Sequence, residues 1–193
     1  LRGVDAIIFD EFHERHIHTD VMLALALRLQ ETARKDLKII VMSATLDSEK
    51  IAEYLGGCSV VRSEGRAYPV DVIQLKKKSI NESLWDSVVG VFKKEILKKN
   101  IEGDVLIFLP GVYDIRRTVE RLRKLPKLKG CQILPLYGDL SPSDQDRAIA
   151  KSEIRKIVVS TNVAETSLTI DGVKIVIDSG LARISRFDKS RGI

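Results

Sequence analysis

Cysteine is nearly absent: Cys58 and Cys131 are the only two among 193 residues, far apart and without His or Cys at metal-ligand spacing. That excludes a disulfide framework or a zinc site as the organising device. Apolar runs are short, none near the roughly 20 residues a membrane-spanning helix needs. The start lacks the basic segment and apolar core of a secretory leader. The chain therefore reads as soluble and cytoplasmic, with no membrane partner. Aromatic residues make up 5%, too few for recognition of single strands driven by base stacking. No internal repeat is visible. A Gly-x-x-x-x-Gly-Lys-Ser/Thr loop, whose amides and lysine cradle nucleotide phosphates, is missing, so the chain by itself is expected to bind nucleotide weakly. It begins at Leu1, just before an apolar run, as a piece cut from a longer protein would.

Hydrophobic residues make up 44% and charged ones 31%, the composition of a packed globule of one large or two small domains. Short β-rich runs at 4–9, 38–43, 59–62, 70–75, 104–109, 131–136, 156–160 and 173–178 alternate with helix-like stretches. Such alternation predicts an α/β architecture of parallel strands flanked by helices. Thr19 or Asp20 can cap a helix reaching about Lys35, and Asp47 or Ser48 a second one that stops at Gly56-Gly57. From Asn81 to about Asn100, Trp85, Val88, Val89, Phe92, Ile96 and Leu97 recur at spacings of three and four, a third helix whose Trp85 and Phe92 read as core. Gly65, Pro69 and charged residues interrupt the pattern at 63–69. The expected division is therefore 1–72 and 73–193.

Polar motifs sit where three of the apolar runs end. After Val4 to Phe9 comes Asp10-Glu11-Phe12-His13, two adjacent carboxylates with an imidazole close by. Hydrolases of nucleotides use such a pair: one carboxylate for Mg²⁺, a hard cation bridging phosphate oxygens, and one to orient or deprotonate the attacking water. After Ile39 to Met42 comes Ser43-Ala44-Thr45, whose hydroxyls can bond the acid motif or simply cap the turn before Asp47. After Lys156 to Ser160 comes a long polar segment, 160–172, expected at the carboxyl edge of the sheet, where open α/β sheets bind ligands. Within it Asp171-Gly172 is also an ordinary turn. Leu106 to Pro110 leads to Gly111, which frees amides at a helix start for a phosphate, or makes a plain tight turn.

Taken in this order, the motifs resemble those of the DEAH-type (DEAH/RHA) superfamily 2 ATP-dependent RNA helicases, with Asp10 to His13 as motif II, Ser43 to Thr45 as motif III, Leu106 to Gly111 as motif IV and Ser160 to Ile170 as motif V. Phe12 replaces the family's usual Ala, and with Gln145 to Ile149 the wording is closest to the bacterial HrpB-type branch. The resemblance covers nearly the whole chain. It implies a RecA-like P-loop NTPase fold, with part of a first lobe and most of a second, and ATP held between lobes. It further implies that Asp10 binds Mg²⁺ and that Glu11 is the catalytic base and a second metal contact. His13 would reach the other lobe or the γ-phosphate region, and Ser43 and Thr45 would couple hydrolysis to strand separation. Thr169 and Asp171 would face the ribose, Ile149 would replace the Phe that stacks on the base in many relatives, and Gly111, Thr161 and Asn162 would meet the RNA backbone. A Gln-x-x-Gly-Arg-x-Gly-Arg motif carrying arginine fingers would follow Ile193, and the fragment alone would be inactive.

The net charge of +5 suits a phosphate-rich partner, with local concentrations at Lys76 to Lys78, Arg116-Arg117 and Arg183, Arg186 and Arg191. Single-stranded RNA is the expected partner. A DNA or viral superfamily 2 helicase, and a non-catalytic nucleic-acid-binding or scaffold module, are the alternatives.

Overall fold

The computed structural model describes residues 2–44, 48–63, 68–75, 82–164 and 169–183. The chain divides into two compact units, Leu1–Val72 and Ile73–Ile193. The first holds strands β1 (Ala6–Phe9) and β2 (Lys38–Val41), paired in parallel, with helices α1 (Ile17–Thr32) and α2 (Ser48–Tyr54). Phe9, Phe12, Leu23 and Ala26 form its small core. Helix α1 begins at Ile17, earlier than expected, so Thr19 and Asp20 lie in its first turn rather than capping it. It stops at Thr32 because Arg34 turns away, bonding Asp36 and the Val4 carbonyl. Helix α2 ends where expected: Gly56 and Gly57 take left-handed backbone (φ +79° and +83°), and the Gly57 amide bonds the Ala52 carbonyl at 2.8 Å.

The expected strands at 59–62 and 70–75 are absent. Residues 59–63 and 68–75 are irregular and exposed, Val61 at 93% and Val70 at 79%. β-Branched residues favour a strand only where a neighbour takes up their backbone groups and a layer covers their side chains. Among the described residues this stretch has neither.

The second unit is a parallel sheet in the order β4-β5-β3-β6, built from β3 (Asp104–Phe108), β4 (Gln132–Leu136), β5 (Lys156–Ser160) and β6 (Val173–Asp178). Its helices are α3 (Leu84–Val91), α4 (Val112–Arg123) and α5 (Pro142–Ile149). The central strands β3 and β5 are buried almost end to end, as continuous apolar runs with strands on both sides should be. Pro135, which has no N–H to give, lies in the edge strand β4. Helix α4 buries Ile115, Thr118, Val119 and Leu122 at helical spacing. Ser83 and Ser141 cap α3 and α5 by accepting the amides of Asp86 and Asp144. The long helix expected from Asn81 is instead α3 followed by a wider π-helical stretch, Phe92–Leu97. There the Lys98 and Ile101 amides reach back five residues, and Phe92 and Ile96 are both buried. Trp85 is only half-buried and meets Tyr113 edge-on at 5.5 Å.

Candidate functional site

Three groups of candidate residues emerge, each at a strand end. In the first unit Phe12, 5% exposed, plugs the core, and its amide bonds the Met42 carbonyl at 3.0 Å. That anchor fixes the turn carrying Asp10, Glu11 and His13 beside Ser43 and Ala44. Asp10 accepts the Glu11 amide at 2.8 Å. Glu11 stands at φ 50°, ψ 37°, left-handed backbone that a residue with a Cβ adopts only at a cost of about 1–3 kcal/mol, the kind of strain that collects at working sites. His13 Nδ1 lies 3.4 Å from Glu11 Oε2 and 3.4 Å from the Ala44 amide nitrogen. One nitrogen cannot donate to the carboxylate and accept from the amide at the same time, so His13 Nδ1 serves either the acid motif or the turn after β2. Thr45 lies outside the described residues.

Around this turn, Arg15 crosses the Phe12 ring and donates to Asp20 at 2.8 Å, a hydrogen bond that pushes its guanidinium above its ordinary pKa. His16 Nε2 sits 2.7 Å from Glu14 Oε2. Among the described residues Glu14 Oε1 and Asp20 Oδ1 are buried without a partner. No group of three or more His, Cys, Asp or Glu among the described residues is placed to hold a metal unaided. The pair of hard carboxylates fits Mg²⁺ nonetheless, since that ion is held by one or two carboxylates and takes its other oxygens from water and phosphate.

The second group lies at the carboxyl edge of the four-stranded sheet. The Leu109 amide bonds the Ser160 carbonyl at 2.8 Å, and the Thr161 amide bonds the Leu136 carbonyl at 3.2 Å, so the turns after β3, β4 and β5 are tied together. Gly111, Thr161 and Asn162 share this edge. Gly111 precedes α4 with extended backbone, and the Arg183 guanidinium lies about where a side chain at 111 would meet it, at 3.7 Å. A guanidinium beside the free amides of a helix start can grip a phosphate oxygen.

The third group corrects an expectation. Segment 160–172 starts at the carboxyl edge but does not stay there. Strand β6 runs parallel to β3, so the chain must return to the opposite, amino edge before entering it, and the Gly172 carbonyl accepts the amide of Asp104, the first residue of β3, at 3.1 Å. Asp171 is therefore at the amino edge, exposed. Ile149, the last residue of α5, also lies at this edge, half-buried against the cluster containing Ala148, Ala164 and Ile170. Thr169 is exposed just before Ile170. The nucleotide candidates Ile149 and Asp171 thus lie apart from the nucleic-acid candidates Gly111, Thr161 and Asn162, at the other ends of the same strands.

Two residues at that amino edge escape a reading of the letters. Lys156 is fully buried, and Asp104 is 9% exposed. The available signal was a charged residue at the head of each of two otherwise apolar runs.

The model of the helicase conserved C-terminal domain matches residues 88–190. The chain is 43% identical to the ATP-dependent RNA helicase HrpB of Escherichia coli (strain K12), over the whole chain and 24% of that relative. It is 42% identical to the ATP-dependent RNA helicase HrpA of the same organism, over 97% of the chain and 14% of that relative. The crystal structure of the Escherichia coli DEAH/RHA helicase HrpB superposes with a TM-score of 0.85 at 40% identity, over the whole chain and 24% of that structure. The chain thus spans about a quarter of the length of HrpB. The sheets with their flanking helices share the RecA-like fold of these neighbours.

Proposed function

The chain belongs to the DEAH-type helicases and carries their conserved C-terminal domain at residues 88–190, and on that premise we propose that it is the ATP- and RNA-handling segment of a cytoplasmic ATP-dependent RNA helicase. Asp10 would hold Mg²⁺ and Glu11 would orient or deprotonate the attacking water, also touching the metal, because phosphoryl transfer is accelerated by positioning and charge neutralisation. The metal supplies neutralisation of developing phosphate charge. His13 serves the other lobe or the γ-phosphate region, and Ser43 and Thr45 couple hydrolysis to strand separation. Thr169, Asp171 and Ile149 contact the nucleotide, with an aliphatic press on the base in place of a stacked ring. Gly111, Thr161 and Asn162 grip the backbone of single-stranded RNA.

The observation that carries this reading is the strand-end acid pair, with Glu11 in strained backbone over a buried Phe12 anchor. With no phosphate loop in it, the chain by itself is expected not to turn over ATP. The test is therefore ATP turnover by the full-length protein with and without single-stranded RNA and single-stranded DNA. Strong stimulation by RNA is expected, with Glu11→Gln lowering turnover by about a hundredfold or more while nucleotide binding persists. Unaltered turnover would remove Glu11 from the mechanism, equal stimulation by DNA would remove the preference for RNA, and no turnover at all would make the acid motif structural.

A further inference from the structure

The buried pair at the amino edge of the four-stranded sheet is unexplained by packing. The Lys156 ammonium donates to the carbonyls of Ala148 (3.2 Å), Ile149 (3.4 Å) and Ala150 (2.6 Å), the last turn of α5. No carboxylate among the described residues pairs with it. A methionine would fill the same volume without burying a charge, and replacing buried charges by apolar residues of like size is commonly neutral or stabilising. What methionine cannot do is bind three carbonyls at the negative end of a helix, fixing where that end stops. The same residue's amide donates to Asp104 Oδ1 at 2.7 Å. The other carboxylate oxygen, Oδ2, packs against Gly172, only 2.8 Å from where a Cβ would stand. The Asp104 amide in turn bonds the Gly172 carbonyl. Arg155 closes the frame by donating to the carbonyls of Gly103 (2.8 Å) and Ile101 (2.7 Å).

Three segments distant in sequence therefore meet on two adjacent charged residues: the end of α5 with Ile149, the start of β3, and the turn with Asp171. We propose that Lys156 and Asp104 are positioning residues that hold Ile149 and Asp171 in fixed relation at the amino edge for contact with the base and ribose of one nucleotide, an inference that rests on the function proposed above. Neither touches the nucleotide. They act through the two residues they place, while the carboxyl edge with Gly111, Thr161 and Asn162 is left to the nucleic acid.

The test uses the full-length protein. Lys156→Met is expected to raise the KM for ATP by about tenfold, as loss of an orienting partner does, with kcat at saturation within about twofold of wild type, since the acid pair lies in the other unit. Ile149→Ala is expected to raise the same KM, and the double variant to be no worse than the worse single one, because both changes remove one contact. Multiplying effects, or an unchanged KM in a folded Lys156→Met protein, would overturn the role. Should Lys156→Met not fold, wild-type amide exchange decides: a non-hydrolysable ATP analogue is expected to slow exchange in 148–151 and 171–173 together, leaving 160–162 unaltered. Protection of one segment without the other would overturn it. A wild-type protein that neither binds nor hydrolyses ATP would instead remove the nucleotide reading, and this role with it.

Discussion

The two sheets are made of the same kind of strand, a short apolar run with polar residues at its end, yet they are buried very differently. In the four-stranded sheet Ile107 and Ile157 are inaccessible, while in the two-stranded one Ile8 is 57% exposed and Ile40 44%. The sequences of β1 and β3 do not account for this. Strand β3 has β5 and β6 on its two sides and lies in the same apolar cluster as side chains of α3 and α4, whereas β1 pairs only with β2 among the described residues. Burial is a property of neighbours and layers, not of the apolar run itself. The polar strand ends, by contrast, are organised alike in both units: the Phe12 anchor and the Leu109 to Ser160 bond each fix a turn just past the sheet.

The sharpest way to break this contrast is to delete the same methyl groups in both sheets. Ile107→Ala is expected to cost about 2–5 kcal/mol, since it empties a site that close-packed neighbours cannot fill. Ile8→Ala is expected to stay within about 0.5 kcal/mol, as exposed substitutions do. Trp85 is the only tryptophan and lies in the larger unit, so its fluorescence during urea unfolding reports the first change, and far-ultraviolet circular dichroism the second. Equal costs would mean that the exposed face of β1 is covered in solution.

A smaller effect separates the two units at their glycines. Gly57 and Gly172 both have left-handed backbone, at φ +83° and +88°, but a side chain would meet nothing within 4 Å at Gly57 and Asp104 Oδ2 at 2.8 Å at Gly172. Gly57→Ala should cost about 1 kcal/mol, from backbone strain alone. Gly172→Ala should cost about 1–3 kcal/mol, because it must also displace a buried carboxylate that holds the Lys156 amide. Thermal unfolding of the two variants measures the difference, and identical shifts would mean that Asp104 moves freely.

Much of this was legible in the letters, for reasons that can be named. The runs at 104–108 and 156–160 are apolar almost without interruption and the helix over 112–123 has a clean period, so local pattern and tertiary burial agree there. Gly56-Gly57 marks a helix end because left-handed backbone is local chemistry. The acid motif is legible because carboxylates at a strand end are set by adjacent residues. What was not legible depends on partners remote in sequence. Val60, Val61, Val70 and Val72 read as strand and have no strand partner among the described residues. The return of segment 160–172 to the amino edge follows only from the parallel direction of β6. The bond from Lys156 to Asp104 joins residues 52 positions apart, a pairing no window along the chain contains.

The smallest expected effect tests the contrast through protons. Asp36 in the first unit is held below its ordinary pKa by the hydrogen bond from Arg34, and Glu95 in the second by those from Lys99 and then Lys94. A carboxyl whose folded pKa is depressed adds stability above its unfolded value and loses it as pH falls through the folded one. For Glu95 that window opens below about 4.5. The Asp36 side chain is 65% exposed and the Glu95 side chain 15%, and water screens the more exposed pair more fully. Glu95→Gln should therefore flatten the acid side of the stability profile more than Asp36→Asn does, with each variant converging on wild type as pH falls through the depressed pKa of the carboxyl it removes. Denaturant midpoints from pH 7 to pH 3 measure it. A larger effect at Asp36 would mean that the geometry of the Arg34 fork outweighs exposure, and that the less covered unit owes more of its acid stability to one planar ion pair than to its core.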